Sequence, residues 1–526
     1  MAPQLPDDVL HMICIQLRLK RDFNTLATCV TVSKTLALSA VANLYRIHDE
    51  APITATSGFE DGTFEGQRKQ ERDIFLMWAR VWKTLLLSSL GKTFFSYCHY
   101  IRTLVFGDLR DLIDDPKVIR TGIASELFEG DLSIFTSSSG DAPQTRARSG
   151  TKFYNSAQVI ERAGDILTEK AYMVEELAGD LDPAWVQRWI PRLKNLTKLR
   201  CFNGEAISCS GQLLEANCPK FTDVAFYRWN GPETDNQFAT FLLDLKPDSL
   251  ESLAISSSSD AGLQTLQALN KHSATIRKLE LGQVDQSVFY HLPELSGFTA
   301  MKEFDLSCTT TLTSSALDSL SGEAWADISN WFKSLRGIDT LKLHGLGTTA
   351  NILEGLLHDS TIRLSALEIS NYNSESASKF HDAIASQSMT LRKLRLVSGE
   401  GESCDTGVLA HAISQLRHLE ELHLQNVSEF FTNTHITSIA KALPRLKTFV
   451  FSGWEISDAI WPALAKLTSL VCLEIYAFSN FTWKAIIDSF IDCLGTGNKG
   501  LRFAIMMQNP EKDLNLVEQE KIRTRL

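Results

Sequence analysis

Two histidines come closest to a pattern that could hold a metal ion. The string His418-Leu-Glu-Glu-Leu-His423 has the residue types of the zinc motif H-E-x-x-H, in which histidines four apart on a helix share one ion. Here the histidines are five apart in a segment predicted to be a strand, so their side chains should point to opposite faces. We therefore predict no metal site and no bound cofactor.

Patterns for nucleophilic and phosphate chemistry are also incomplete. Gly91-Lys92-Thr93 matches the end of a phosphate-binding loop, but the full pattern needs a glycine where Leu86 stands. The sequence lacks the G-x-S-x-G pattern of serine hydrolases. Its ten cysteines form no C-x-x-C pair, which favours buried thiols in a reduced compartment, although a cysteine nucleophile with a distant histidine stays open. We predict a protein without catalytic activity.

Composition narrows the class of partner. The 526 residues are 44% apolar and 22% charged, which is typical of folded globular proteins. The net charge of -11 disfavours nucleic acid and anionic membrane surfaces as partners. Asp7 and Asp8 stand where a signal peptide needs positive charge, and no run approaches the ~18 apolar residues that cross a bilayer. We expect a protein partner, in the cytosol or the nucleus.

Residues 5–46 predict three short helices. Pro6 and Asp7 suit the first turn of a helix, and Asp22 and Ser33 are favourable N-caps for the second and third. A segment this short buries too little apolar surface to be stable alone. Its remaining apolar side chains should therefore face a partner or the rest of the chain.

The order of residues in this segment resembles an F-box, the helical motif that docks onto Skp-family adaptors of cullin–RING ubiquitin ligases. The resemblance rests on the Leu-Pro start, the central Leu26 and the Val32-Ser33-Lys34 element, in that order. Thr35-Leu36 and Tyr45 differ from the tryptophans common in the family. A plain helical cap for the following chain is the alternative. By the resemblance, the residues at or beside the adaptor interface are Leu5, Pro6, Leu10, Ile13, Leu26 and Val32.

A linker and an amphipathic helix are predicted over residues 47–100. Residues 51–70 are polar and contain glycine, as loops do, and an apolar stripe follows from Ile74 to Leu86. The stretch from Trp78 to Leu109 resembles the segment after the F-box in a large group of fungal F-box proteins. Residues 129–151 are rich in Ser, Gly and Thr, which indicates a mobile insertion.

A short template, apolar-x-x-apolar-x-apolar, recurs through the rest of the chain. Successive copies start about 28 residues apart, a spacing similar to that of leucine-rich repeats with a helix on the convex side. The intervals have helical periodicity, for example over Leu409–Leu416 and Ile436–Leu443. A copy at 101 precedes the main series, whose copies start at 196, 221, 250, 276, 301, 338, 364, 391, 419, 446, 470 and 501.

The predicted fold class is therefore α/β, with an N-terminal three-helix F-box followed by a leucine-rich-repeat solenoid. Strand plus helix in each repeat predicts a horseshoe with a parallel inner sheet and outer helices. The expected domains are an F-box over 1–46, the linker and helix over 47–100, the solenoid over 101–507 and a charged tail over 508–526. The ninth template position lacks the Asn or Cys of the regular repeat.

Strand alternation places template positions three, five and seven on the concave face. This face carries charges of both signs and a few aromatic side chains, a mixture suited to protein recognition. For any one residue, a solvated position without a partner is the alternative. The candidate substrate contacts are Arg200, Phe202, Tyr227, His344, Arg395, His423 and Tyr476.

The resemblance implies a substrate-recognition subunit of an SCF-type cullin–RING E3 ubiquitin ligase. Its partners would be a Skp-family adaptor, the cullin scaffold behind it and an unknown protein substrate destined for ubiquitin-dependent degradation. A leucine-rich-repeat scaffold or binding module that acts without ubiquitin transfer is the main alternative. An extracellular leucine-rich receptor ranks third.

Overall fold

The chain forms two compact units in the computed structural model. The first comprises residues 1–228 and 240–250, and the second comprises residues 229–239 and 251–526. The structure describes residues 5–20, 22–46, 64–136, 154–295, 297–309, 322–346, 350, 352–372, 377–397, 406–428, 430–508 and 514–526.

The first unit begins with three helices that match the sequence prediction. They are α1 (Asp7–Leu19), α2 (Phe23–Val32) and α3 (Lys34–Leu44). The predicted N-caps are confirmed, because the Asp22 carboxylate accepts the N–H of Thr25 at 3.1 Å and the Ser33 hydroxyl accepts the N–H of Leu36 at 3.2 Å. Each cap satisfies a backbone donor that the helix itself leaves free.

A long helix, α4 (Phe64–Ser89), confirms the predicted amphipathic segment, but it begins within residues 51–70, which the polar composition predicted to be a loop. Its apolar stripe is buried, with Trp82 and Leu86 fully covered and Phe75 2% exposed. Further helices of the first unit surround it or follow it in the chain. They span Phe106–Asp114, Pro116–Thr121, Ile123–Leu127, Ser156–Lys170, Pro183–Trp189 and Gly211–Asn217.

The expected mobile insertion differs from the structure in its first part. Gly130–Phe135 forms a 3-10 helix in which the side chains of Leu132 and Phe135 are fully buried. These two residues anchor the segment, a feature that the Ser-rich composition around them hid. Residues 137–151 of the expected insertion lie outside the described residues.

Four strands of the first unit are parallel and pair in chain order. Each is hydrogen-bonded to the next, with Leu104 beside Leu177 and Leu177 beside Leu199 in register. The strands are β1 (Thr103–Val105), β2 (Glu176–Gly179), β3 (Lys198–Asn203) and β4 (Asp223–Trp229).

Ten strands of the second unit continue this pattern. Each strand pairs in parallel with the next one in the chain. The strands are β5 (Ser252–Ser259), β6 (Lys278–Val284), β7 (Glu303–Cys308), β8 (Thr340–His344), β9 (Ala366–Ser370), β10 (Lys393–Val397), β11 (Glu421–Gln425), β12 (Thr448–Ser457), β13 (Cys472–Asn480) and β14 (Arg502–Gln508).

Helices fill the intervals between these strands, so the fold is α/β and has the predicted leucine-rich-repeat architecture. The helices predicted around Leu409, Ile436 and Trp483 are confirmed. Those of eight residues or more in the second unit span Gly322–Ser334, Thr406–Ser414, Asn433–Ala442 and Leu516–Arg525. The last lies within the expected charged tail, where Arg525 bonds to Asp492 at 2.6 Å.

Every copy of the template is a strand, and most strands begin at its third position. One strand was missed, β2, because Gly179 occupies the last apolar position of the copy that starts at Val174. Residues at the ninth template position show how the turns are stabilised without the asparagine of the regular repeat. Trp229 and Tyr372 stand there with 1% exposure each. The Trp229 ring packs on Phe238, and the Tyr372 hydroxyl is hydrogen-bonded to His381, so buried aromatic side chains take the place of the polar ladder at these two turns.

Gly282 in β6 provides a test of the strand spacing. A Cβ atom at this position would lie 2.3 Å from the carbonyl oxygen of Ile255 and 2.8 Å from the carbonyl carbon of Ser256. Because these obstacles are backbone atoms, we expect Gly282→Ala to lower the free energy of unfolding by about 1–3 kcal/mol. Denaturant unfolding followed by circular dichroism measures the change. Gly322→Ala is the control, since its Cβ would meet nothing within 4 Å, and equal stability of the two variants would contradict the close packing.

Candidate functional site

The three N-terminal helices enclose a small core. Cys14, Leu26 and Ala40, one from each helix, have no exposed surface. A core of this size is too small to cover every apolar residue of the segment. Val41 is also buried, and further apolar side chains pack against the core, namely Leu17, Cys29, Val30, Leu36 and Leu44. Several other apolar side chains remain exposed.

Several large apolar side chains of this helical unit are exposed. Val9 and Met12 lie about one turn apart on α1, and Leu5 stands just before the helix; Leu5 is 52% exposed and Met12 is 64% exposed. Val32 is 67% exposed and Leu38 is 54% exposed. Such a density of large uncovered apolar side chains marks a protein-interaction surface. We call it the helical apolar face and define it as Leu5, Val9, Met12, Ile13, Val32 and Leu38.

Most of the residues proposed to contact an adaptor belong to this surface or border it. Their exposure follows from the helix periodicity that also buries Cys14 on the opposite side of α1. Leu5, Pro6, Ile13 and Val32 are exposed, and Leu10 is partly exposed.

Leu26 requires a correction. Its side chain is 0% exposed and lies in the core beside Cys14 and Ala40, so it offers no surface to a partner. The position near the middle of α2 points inward because α2 packs on α3. Leu26 therefore supports the helical apolar face from behind.

Tyr45 fastens the helical unit to the following segment. Its ring centroid lies 4.8 Å from that of Tyr97, and Thr84 in α4 is a hydrogen-bond partner of its side chain. Burial raises the pKa of the Tyr45 hydroxyl. The tyrosine thus takes the packing role that the resemblance would give to a tryptophan.

The outward side chains of β3 and β4 place two predicted residues together. Phe202 and Tyr227 stack with ring centroids 4.9 Å apart and ring planes at 16°, and they are 42% and 50% exposed. The guanidinium of Arg228 lies 5.2 Å from the Phe202 centroid. Arg200 forms an ion pair with Glu176 on β2. This exposed aromatic pair with a nearby cation is a candidate contact for a protein partner.

In the second unit, outward charges of neighbouring strands neutralise one another. Lys393 on β10 lies 3.0 Å from a carboxylate oxygen of Glu368 and 3.5 Å from one of Glu421. Burial opposes ionisation of Glu368, but the hydrogen bond and charge of Lys393 outweigh it and lower the pKa of Glu368. Lys393 is therefore a strand-to-strand bridge.

Arg395 and His423 form a second, less balanced pair. They are directly opposite in the register of β10 and β11. Burial and then the positive charge of Arg395 lower the pKa of His423. Arg395 is exposed, so its guanidinium can meet a partner, while His423 is half-buried beside it and favours the neutral form.

Three side chains in the second unit come closest to a catalytic arrangement. His344 Nδ1 lies 2.9 Å from the Ser370 hydroxyl, and His344 Nε2 lies 3.7 Å from a carboxylate oxygen of Asp305. The second distance exceeds hydrogen-bond range, and Lys342 at 3.5 Å also engages Asp305. The arrangement binds three strands together and supplies no base fixed by a carboxylate.

Tyr476 completes the set of predicted contacts, and the set does not converge. Its hydroxyl donates to Glu474 at 3.2 Å on the same strand. Phe202 and Tyr227 lie in the first unit, whereas His344, Arg395 and Tyr476 lie on different strands of the second. The structure thus brings together the Phe202–Tyr227 pair and the Arg395–His423 pair, and leaves His344 and Tyr476 apart.

The surroundings of the histidine pair and of the cysteines indicate structural roles for these residues. His418 lies in a turn before β11, and its Nδ1 is 3.0 Å from Arg445, so the predicted strand does not extend back to it. No group of three metal-ligating side chains occurs in the part of the chain that the structure describes. Burial raises the pKa of the Cys218 and Cys308 thiols to about 12, which disfavours the reactive thiolate.

A glycine pattern missed by the sequence reasoning also has a structural role. Gly495-Thr-Gly497-Asn-Lys-Gly500 has the spacing G-x-G-x-x-G, but it precedes β14 and does not open a helix after a strand, as dinucleotide sites require. The side chain of Asn498 donates to the carbonyls of Leu467 and Leu470. The segment is a packed turn.

Sequence reasoning also missed an aromatic cluster at the ends of β12 and β13. Trp454 and Phe478 stack with ring centroids 4.7 Å apart and ring planes at 16°. Trp454 is 50% exposed, and Phe430, which lines a cleft together with Trp454, is 53% exposed. Trp454 and Phe478 both occupy the ninth template position, so two consecutive aromatic departures from the repeat pattern were the available signal.

Comparisons with known proteins find similarity in the path of the backbone. Neither the models of protein families nor the curated proteins yield a match. Solved structures that match include the Rad7–Elc1 complex of yeast, at 14% identity and a TM-score of 0.39, covering 81% of this chain and 94% of that one. An internalin, InlF of Listeria monocytogenes, matches at 13% identity and 0.36, covering 65% and 81%.

The leucine-rich repeat-containing protein LegL7 of Legionella pneumophila matches at 10% identity and a TM-score of 0.30, covering 58% of this chain and 93% of that one. These values assign neither a family nor a function, and the fold assignment rests on the strand register described above. Among the described residues, no helix is long and apolar enough to cross a membrane.

The Arg395–His423 pair predicts a measurable electrostatic effect. Because the charge of Arg395 lowers the pKa of His423, we expect Arg395→Gln to raise that pKa, as followed by NMR titration of the imidazole C–H signals. The folded-state pKa lies below the unfolded value, so protonation of His423 reduces the free energy of unfolding as the pH falls through the unfolded value near ~6.5. The substitution should weaken this pH dependence.

The control for this experiment is Arg392→Gln. Arg392 lies one residue before β10 and bonds to Glu420 at 2.9 Å, and its charge is not among the causes of the His423 shift. Identical titration curves for His423 in both variants would contradict the electrostatic coupling.

Proposed function

We propose that this chain is the substrate-recognition subunit of an SCF-type cullin–RING E3 ubiquitin ligase. In this proposal the helical apolar face binds a Skp-family adaptor, and the outward side chains of the repeat strands bind a target protein. The supporting observation is the exposure of Leu5, Ile13 and Val32 at the positions where the resemblance to an F-box implies adaptor contacts.

The chain's contribution to ubiquitin transfer would be proximity. A receptor that holds a target near the ubiquitin-loaded enzyme raises the effective concentration of the target's lysines and needs no proton transfer of its own. The packing of Tyr45 against Tyr97 supports this role, because it fixes the adaptor-binding helices to the following segment. A floppy connection would spread the bound target over a larger volume.

The proposed partners follow from the same surfaces. The adaptor would connect the chain to the cullin scaffold, and the chain would act in the cytosol or the nucleus. The Phe202–Tyr227 pair is the favoured target contact of the first unit, because stacked, half-exposed rings offer apolar area at little entropic cost. Arg200, His344, Arg395, His423 and Tyr476 remain proposed target contacts of lesser weight.

Adaptor binding can be tested with a double substitution on the helical apolar face. Ile13 and Val32 are exposed, so Ile13→Asp with Val32→Asp should leave the helical core intact. We expect the affinity for a purified Skp-family adaptor to fall at least about 100-fold, because two charges would be buried without partners at the interface. Biolayer interferometry with the full chain measures the change.

Met389→Asp is the matched control, since Met389 is a 74% exposed apolar residue outside the helical apolar face. It should bind the adaptor like the unaltered chain. If the unaltered chain fails to bind any Skp-family adaptor, the ligase proposal is wrong and the repeat scaffold without ubiquitin transfer takes its place. Adaptor binding without ubiquitin transfer to captured proteins, in a reaction reconstituted with the cullin and its RING partner, would also favour the scaffold.

A further inference from the structure

An aromatic cleft lies in the second unit where β12 leaves its regular course. Its volume is about 550 Å³, within the range of roughly 300–1,000 Å³ typical of ligand pockets. Trp454 forms part of its wall, and Phe478 stacks against Trp454 at 4.7 Å. The cleft is lined by Phe430, Thr432, Asn433, Thr434, Trp454 and Glu455.

The backbone holds Trp454 in this position. The pairing of β12 with β13 shifts register between Trp454 and Ile456, and Glu455 between them has a left-handed φ of 53°. A side chain larger than hydrogen at Gly453 would bring its Cβ within 2.7 Å of the Phe431 carbonyl oxygen. Such bulges redirect side chains, and a non-glycine residue with this φ persists where its surroundings fix it.

Asn433, another lining residue, is fixed by a pair of hydrogen bonds. The amide of Asn433 accepts the N–H of Ser457 at 3.0 Å and donates to the Ser457 hydroxyl at 2.8 Å. The amide is thereby occupied in joining the helix that begins at Asn433 to the end of β12. Glu455, which is exposed, supplies the charged group among the lining residues.

Two aromatic rings and a carboxylate define the chemistry of the occupant. The faces of tryptophan and phenylalanine rings attract cations, and tryptophan does so most strongly. An acidic or phosphorylated group would be repelled by Glu455, and a purely apolar group would strip water from that carboxylate without replacing it. A guanidinium matches both features, because it stacks on an aromatic face and pairs with a carboxylate.

The surface beside the cleft suits the residues next to such an arginine. Tyr476 lies two residues before Phe478 on the same side of β13, and its register partner on β14 is Met506, which is 47% exposed. These side chains extend the apolar surface beyond the cleft. If apolar residues flank the arginine in an extended segment, they would therefore also have apolar side chains to pack against.

We propose that the cleft of Phe430, Trp454 and Glu455 binds an arginine side chain in an extended segment of the target protein. The inference deepens the proposed function and rests on it for the fate of the bound segment, whereas binding itself depends on the cleft alone. The target class is thus a protein with an exposed arginine flanked by apolar residues.

The first experiment measures binding of defined peptides to the full chain by isothermal titration calorimetry. The probes are acetyl-Gly-Leu-Arg-Leu-Gly-amide and the same peptide with Lys, Gln or Glu in place of Arg. We expect the Arg peptide to bind best, the Lys peptide more weakly and the other two not measurably. Trp454→Ala should weaken Arg-peptide binding about tenfold, the size of a partly desolvated cation–π contact.

Phe94→Ala is the matched control, because Phe94 is an aromatic side chain that is 93% exposed and lies in the first unit. It should leave peptide binding unchanged, and circular dichroism should show that Trp454→Ala remains folded. Equal binding of the Arg and Gln peptides, or an unchanged affinity in Trp454→Ala, would overturn the proposal.

A charge exchange tests the role of Glu455. Glu455→Lys should abolish binding of the Arg peptide and create binding of the Glu peptide, whereas Glu215→Lys, at an exposed carboxylate in the helix Gly211–Asn217 of the first unit, should change neither. Binding of the Glu peptide to the unaltered chain would contradict the assigned charge preference. Adaptor affinity, measured in parallel, separates the outcomes, because loss of peptide binding with normal adaptor binding leaves the ligase proposal standing.

Discussion

The structure depends on one constraint: each repeat buries its apolar side chains against its neighbours in the chain. Leu279, Leu341 and Leu422 are fully buried, one in each of three repeats, and each belongs to the inward half of its strand's alternation. No repeat could close such a core alone. Parallel register therefore has to be kept from strand to strand, and that register fixes which side chains point outward. Within the sheet, a partner can reach only those outward side chains.

This constraint explains why the sequence predicted the repeats well. Three apolar positions with fixed spacing are required of every strand, and the spacing of the copies identified β3 to β14. The template did not identify β2, where Gly179 occupies an apolar position although Leu177 still pairs with Leu199. Gly179 has a positive φ of 140°, which residues with side chains rarely adopt, and a Cβ there would lie 3.2 Å from the backbone nitrogen of Gly107. The backbone conformation therefore favours glycine at this position, and a template of apolar side chains does not predict it.

The candidate surfaces were less predictable because exposure is decided by tertiary packing. Leu26 and Val32 lie on the same helix, yet one is fully buried and the other is 67% exposed. Their types do not distinguish them, and only the placement of α3 against α2 does. Similarly, Trp229 and Trp454 occupy the same template position, but the first is buried and the second lies beside a bulge that turns it to solvent. Sequence located the positions, and neighbouring elements decided which of them a partner can reach.

Charges on the outward strand positions divide into those already engaged and those available. The ion pairs of Lys393 join adjacent strands: the exposed pair with Glu421 contributes only about 0–1 kcal/mol to stability, whereas Glu368 is 6% exposed and its pairing with Lys393 offsets the cost of burying a carboxylate. Their main effect is to remove charges from the set that a partner can use. What remains includes the exposed Arg395 guanidinium and two aromatic pairs: the stacked Phe202–Tyr227 pair, and the stacked Trp454–Phe478 pair beside the Glu455 carboxylate. A partner binding there gains apolar contact without first breaking an ion pair. Selective recognition is therefore favoured where rings interrupt the charged surface, which is also where the repeat departs from its own pattern.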